Sequence, residues 1–246
     1  MPKTFLIDTS RCTACRGCQL ACKEWHGLPA NKTKQFGWGS HQNPQDLNPN
    51  NYKLVRFSEH LEDDVVRWNF FPDQCRHCEV APCKETGDLY REGAIVQDEK
   101  TGAILYTDGT RKFSKEQFEE IRESCPYNIP RRNEKTGILS KCTMCNDRVH
   151  KGMLPSCVKV CPTGAMAFGE RGEMLKLAEE RLATVKKRFP NAMLADPDDV
   201  MVIYLLTDAP ENYHSFAVAA APQSTMDRKR FLAKLARPVT RMTEKA

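Results

Sequence analysis

An α+β fold, with one small module inserted into another and a C-terminal extension beyond both, is what the sequence predicts. Three observations predict it. The 12 cysteines of this 246-residue chain fall into four groups, and the first and last groups have matching terminal spacings. Short strand-like stretches, several paired as hairpins, alternate with short helical ones. The one long amphipathic helical pattern comes only after the last cysteine group, near residues 172–188.

The first group is Cys12, Cys15, Cys18 and Cys22, spaced C-x2-C-x2-C-x3-C. The last is Cys142, Cys145, Cys157 and Cys161, spaced C-x2-C-x11-C-x3-C-P. In two-cluster ferredoxins the first three cysteines of such a run bind one iron–sulfur cube and the fourth binds the other. Cys12, Cys15 and Cys18 then join Cys161 around one [4Fe-4S] cluster, and Cys142, Cys145 and Cys157 join Cys22 around a second. Crossing of this kind brings both ends of the pattern together. Residues 1–51 and 132–170 form one ferredoxin-like module, 52–131 a second inserted in it, and 171–246 an extension docking on a partner.

The elements follow in order. Residues 3–8 (KTFLID) read as an edge strand leading into the first cysteine run, and 18–26 (CQLACKEWH) as a short helix. Residues 27–51, rich in Gly, Asn, Pro and Gln, read as a long surface loop. Tyr52–Phe57 and Val65–Phe71 form a hairpin around the acidic turn EHLEDD, and a second hairpin joins Ala94–Val96 to Ala103–Thr107. Ser114 opens a helix, with Gln117 at the capping-box position. After the last cysteines, AMAFG is a strand, 172–188 a surface helix with a cationic end, and Val200–Leu206 a buried strand. From Met226 the basic tail reads as an amphipathic helix, more simply a solvated chain end than a docking arm.

Between the two hairpins lie Cys75, Cys78 and Cys83, spaced C-x2-C-x4-C, and Cys125 follows alone. A fourth cysteine of the Cys75–Cys83 run is expected at position 87, four residues after Cys83, which holds Gly87. If Cys125 closed a run, its companions would stand at Lys115, Phe118 and Ile121. By the crossing rule these four positions would serve one and the same cube. Its ligands are absent together, while Cys75, Cys78, Cys83 and Cys125 form a complete set for a third cluster. Phe118 and Ile121 are expected to fill the space, because a void there would be destabilising.

Composition narrows the class. A hydrophobic fraction of 40% and a mean hydropathy of −0.58 describe a soluble chain without an apolar run long enough to cross a bilayer. The N-terminus MPKTFLIDTSRC lacks an apolar signal core. The formal charge of +5 counts cysteines as neutral. A cube on four thiolates carries roughly −2, so three of them bring the protein near neutrality and remove the case for a nucleic-acid partner. Zinc sites favour two well-separated cysteine pairs over triplets followed by a fourth cysteine and proline. Disulfides suit serial cysteines three apart poorly. Neither alternative explains four ligands missing together.

Among other candidates, His77 and His150 lie beside ligands and could tune a cluster through hydrogen bonds. The plainer reading, an ordinary partly buried or surface histidine, is preferred. Lys84, Lys141 and Arg148 are balanced between raising a potential by their charge and simple solvation. The glycines at 17, 87, 164 and 169 suit tight turns. The sequence has no serine nucleophile motif, glycine-rich phosphate loop or H-E-x-x-H. It also has no carboxylate pair to argue from, so no catalytic residue is assigned.

The four groups, above all CTMCNDRVHKGMLPSCVKVCPTGAMAFG, resemble the ferredoxin-like electron-transfer (beta) subunits of bis-pterin molybdenum or tungsten enzymes, over about residues 3–170. That family's usual pattern has sixteen cysteines and four clusters. The three-cluster form without a C-terminal membrane helix is most similar to the beta subunit of soluble formate dehydrogenases. The resemblance implies three [4Fe-4S] clusters on the twelve cysteines. It also implies a catalytic alpha subunit carrying the Mo/W-bis-pterin and a [4Fe-4S] cluster of its own. A multihaem c-type cytochrome is implied as acceptor, and a periplasmic location by co-export on the partner's twin-arginine signal, the cytoplasm being the alternative. The rival readings are the same relay in a polysulfide, arsenate or sulfoxide reductase, and a free-standing polyferredoxin.

Overall fold

The computed structural model describes residues 2–32 and 41–219; the tail expected to be helical from Met226 lies outside them. The chain is organised around a four-stranded sheet of order β8-β1-β10-β9. Its strands are β1 (Lys3–Asp8), β8 (Met166–Glu170), β9 (Met193–Ala195) and β10 (Val202–Leu206). Strand β1 is antiparallel to β8, with Ile7 opposite Met166, and parallel to β10, with Phe5 opposite Val202. It is therefore an interior strand and not the edge strand expected. Its Phe5, Leu6 and Ile7 are fully buried, as continuous apolar runs covered on both faces are.

Strand β10 is buried at all five positions, as VMVIYLL predicts. The segment after residue 170 thus supplies two strands of the central sheet. Helix α6 (Arg171–Val185) packs on β1, β8 and β10, with Ala178 fully buried. The start of β10 also grips the inserted module. Cys78 bridges to Val200, and the Met201 and Val202 amides donate to the Arg76 carbonyl at 3.1 and 3.0 Å.

Helix α1 (Gly17–Trp25) follows the first cysteines and packs against the short α5 (Ser156–Lys159). The hairpin β2 (Leu54–Glu62) and β3 (Val65–Asp73) is longer than the pattern indicated. The stretch read as a six-residue turn is mostly strand and closes on Asp63 and Asp64, at φ 49° and 61°. Two consecutive residues at positive φ make the primed turn that matches strand twist, and aspartate tolerates that conformation.

The remaining part of the insertion holds α2 (Pro82–Tyr90), the hairpin β4 (Ile95–Gln97) and β5 (Ile104–Tyr106), and α3 (Lys115–Glu123). Helix α2 starts on Pro82, whose fixed φ suits a first helical position. Helix α3 carries the expected capping box, with the Gln117 amide donating to Ser114 Oγ at 3.2 Å and the Ser114 amide donating to Gln117 Oε1 at 2.9 Å. A small ladder, β6 (Arg131–Arg132) with β7 (Leu139–Ser140), and helix α4 (Asn146–Val149) return the chain to α5. Gly87, Phe118 and Ile121 are buried between α2 and α3. The latter two pack with Ile95 and Phe113, while Lys115 points to solvent. Two of the four positions where further ligands are missing thus carry buried apolar side chains.

Candidate iron–sulfur sites

The sheet decides which cysteines meet. Strand β1 runs into Cys12 and β8 emerges from Cys161. The two strands are antiparallel neighbours joined at this end by the Asp8 amide donating to the Ala165 carbonyl at 2.8 Å. Cys12, Cys15, Cys18 and Cys161 therefore line one pocket, with Val55 and Met166 in its wall. We call it site one. The packing of α1 on α5 places Cys22 beside Cys142, Cys145 and Cys157, which all act on it electrostatically. This is site two. Cys75, Cys78, Cys83 and Cys125 line a second pocket with Ile104, Tyr106, Tyr127 and Lys141. This is site three.

The sites form a line. Cys157 of site two interacts with Cys18 of site one, and Cys142 of site two with Cys75 of site three. All four cysteines of the middle site are buried. Cys15 of site one is exposed, and Cys78 and Cys125 of site three are partly so. The centre of the line is dry and its two ends approach the surface.

Local backbone shape is repeated at the first C-x2-C loop of each of the three cysteine runs. The residue before the second cysteine, Ala14, His77 and Met144 in turn, sits at φ 53°, 49° and 60°. Positive φ at non-glycine residues clusters at functional sites, where the surrounding structure holds the strain. Here it turns amides inward. The His77 amide donates to Cys75 Sγ at 3.3 Å and the Met144 amide to Cys142 Sγ at 3.4 Å, and the Ala14 amide bonds Cys12 likewise. Such bonds favour the thiolate, the form that binds metal.

Burial works the other way. It pushes the Cys12 thiol up to about 11 and those of Cys125, Cys142 and Cys157 up to about 12. Cys161 goes the opposite way: burial raises it, but the Met166 and Ala165 amides and the Thr163 hydroxyl outweigh that and hold it below the usual thiol value. Empty sites would hold mostly neutral thiols, so metal loading releases protons.

The donor set fits iron–sulfur cubes. No cysteine among the described residues is in a disulfide. No three His, Cys, Asp or Glu side chains among them close on a single ion, whereas zinc demands sulfurs about 2.3 Å from one centre. Four sulfurs lining a shared pocket, and not converging on one point, suit a polyatomic cluster.

Other predicted residues fall into place variously. His77 is fully buried, with Nδ1 accepting the Ile104 amide at 3.0 Å, so its proton resides on Nε2. His150 pairs with Asp98 at 2.9 Å on the surface, and Lys84 with Asp88 at 2.6 Å within α2. Arg148 stacks 4.1 Å over Trp25. Two residues near the sites escaped the sequence reading. His26 Nε2 lies 3.9 Å from Cys145 Sγ. Lys53 is buried beside sites one and two, and no spacing rule marks a lone lysine before a strand.

A profile of the 4Fe-4S dicluster domain matches residues 66–171. The beta subunit of formate dehydrogenase 2 (cytochrome c-553) of Nitratidesulfovibrio vulgaris is 62% identical, over 88% of this chain and 99% of its own. The chain belongs to the formate dehydrogenase beta-subunit family. Formate dehydrogenase subunit beta of Megalodesulfovibrio gigas is 50% identical over 89% of this chain and 100% of its own. The iron–sulfur subunit of the nitrate-inducible formate dehydrogenase of Escherichia coli is 38% identical over 85% of this chain and 70% of its own. As a beta subunit the chain is an iron–sulfur electron-transfer protein that binds [4Fe-4S] clusters, and it implies a catalytic alpha partner. Among the described residues no helix is long and apolar enough to cross a membrane.

Proposed function

We propose that the chain holds three [4Fe-4S] clusters, on the quartets of sites one, two and three. It relays electrons from a Mo- or W-bis-pterin alpha subunit that oxidises formate to a c-type cytochrome in the periplasm. The observation that carries this reading is the line of three cysteine quartets, buried in the middle and open at both ends. Bound clusters supply one-electron chemistry. The chain's own groups do the rest. Twelve thiols fix position, amides donating to Cys12, Cys75 and Cys142 favour the charged ligand, and the buried walls of site two exclude water and oxygen. The cytochrome in the name of the Nitratidesulfovibrio vulgaris relative supports a cytochrome acceptor. The periplasmic location rests on the family resemblance alone.

Anaerobic native purification followed by EPR, before and after formate, tests the proposal. Reduced-cluster signals within seconds of adding formate, in a complex with a large second subunit and roughly sixteen iron atoms, about twelve on the beta chain and about four on the alpha subunit's own cluster, are the expected result. Signals that appear with dithionite but not with formate would keep the clusters and remove the formate assignment. Roughly twelve iron atoms per complex would remove the third cluster.

A further inference from the structure

Two lysine side chains lie deep in the protein at the gaps between neighbouring sites. Lys53, which precedes β2, is 2% exposed, and its ammonium donates to the Pro72 carbonyl at 3.3 Å and to Gln74 Oε1. It acts electrostatically on Cys12 and Cys18 of site one and on Cys22, Cys142 and Cys157 of site two. Lys141, which precedes Cys142, donates to the carbonyl of that site-two residue at 3.0 Å and to the Ile104 carbonyl. It also lines the cavity of site three, where its Nζ stands 4.8 Å from the centre of the Tyr106 ring and its charge acts on Cys83.

Neither ammonium has a carboxylate partner among the described residues. The buried arginines differ. Arg56 and Arg76 share Asp73 at 2.7 and 3.0 Å, and Arg131 meets Asp46 at 2.6 Å. A buried cation without an anion is strongly unfavourable, and buried charges are therefore paired. The anions that Lys53 and Lys141 face are the cysteine sulfurs. With a four-thiolate cube in each quartet, every site carries roughly −2, and each electron added makes it more negative beside an already negative neighbour. A cation fixed in each gap opposes that repulsion on both sides.

We propose that Lys53 and Lys141 are the counter-cations of the electron path, Lys53 between sites one and two and Lys141 between sites two and three, each raising the reduction potentials of the two sites it separates. This rests on the three-cluster reading above. Neither residue is a ligand or a catalytic residue. Both act through space, and their effect grows where the surroundings are dry, which makes the middle site the most dependent.

The test is a dithionite potentiometric titration of the anaerobically purified holo-complex, followed by EPR, for Lys53→Met, Lys141→Met and Lys53→Arg. Iron content is measured for each, since it separates failure of the three-cluster reading from failure of this one. Each methionine variant is expected to make two of the beta chain's three cluster signals harder to reduce by about tenfold in the one-electron equilibrium, or ~59 mV. One signal, that of the middle site, moves in both variants, and the other two move in one each. Lys53→Arg, which keeps the charge, returns the wild-type potentials. Signals that stay in place, or all move equally, in a fully iron-loaded variant would overturn the proposal. So would a Lys53→Arg protein that titrates like Lys53→Met. If a methionine variant loses iron, the arginine variant and the other lysine's variant still decide the pattern.

Discussion

Ala14 occupies a conformation that most residues avoid. Its φ of 53° is left-handed, a region costing an ordinary residue about 1–2 kcal/mol and a β-branched one more. The strain persists because it aims an amide at Cys12. Ala14→Val should therefore empty site one selectively, while Ala14→Gly, which relieves the strain, should retain it. Iron content and EPR after anaerobic reconstitution check this, and equal iron in the two variants would contradict it. The C-x2-C spacing made the cysteines legible as groups that the fold brings together. The inward turn of the loop was not legible, because Ala14, His77 and Met144 share no left-handed propensity. Lys53 was hidden for another reason. Burial of a lysine is imposed by the sites on either side of it, and nothing local in its sequence announces them.

Helices α2 and α3 show what replaces missing ligands. A Cβ on Gly87 would come 2.9 Å from Ile95 Cδ1 and 3.7 Å from Phe113 Cζ, so α2 meets β4 and the residue before the α3 cap on a side chain-free spot. Gly87→Ala gains about 1 kcal/mol of helix propensity but overpacks the core by about 1–3 kcal/mol, for a small net loss. Ile121→Ala, at a fully buried position, should cost about 2–5 kcal/mol. The urea midpoint for loss of visible cluster absorbance should rank wild type first, Gly87→Ala next and Ile121→Ala last. The apolar filling was legible from Phe118 and Ile121 at helical spacing. The start of α2 at Pro82 was not, because the cysteine pattern around it masked the helical one.

A second element depends on charge. Asp46 ties the loop before β2 to the scaffold through Arg56 and Arg131, each at 2.6 Å. Burial raises its carboxyl pKa, but the two guanidiniums outweigh that and hold it below the ordinary carboxylate value. A depressed carboxylate contributes stability that is fully present above about pH 4 and is lost as pH falls through the folded value. Asp46→Asn should be less stable than wild type at neutral pH, and the gap should close below about pH 4. Urea midpoints across that range measure it, and a gap independent of pH would remove the ion-pair account.

Across the whole molecule, the wiring depends on which strands are neighbours. Cys157 and Cys161 are one helical turn apart, yet they serve different sites. Helix α5 presents Cys157 towards α1 and Cys142, whereas Cys161 sits past the end of that helix, where β8 begins beside β1. The cysteine spacing made this crossing legible, because the two runs are halves of one pattern. The role of the last strands was less legible. A segment set apart as an extension supplies β10, which lies against β1 and also holds the Cys75–Cys78 loop, so one strand fixes the two modules to each other. Pairing between strands nearly 200 residues apart leaves no trace in either local pattern. Cys161→Ser follows directly from this geometry. It should abolish the EPR signal of the outer cluster on Cys12, Cys15 and Cys18 and leave that on Cys22, Cys142, Cys145 and Cys157 intact, although three of those four cysteines are its nearer neighbours in sequence. Loss of the middle signal, with the outer one retained, would show that the chain is wired by sequence proximity and not by the sheet.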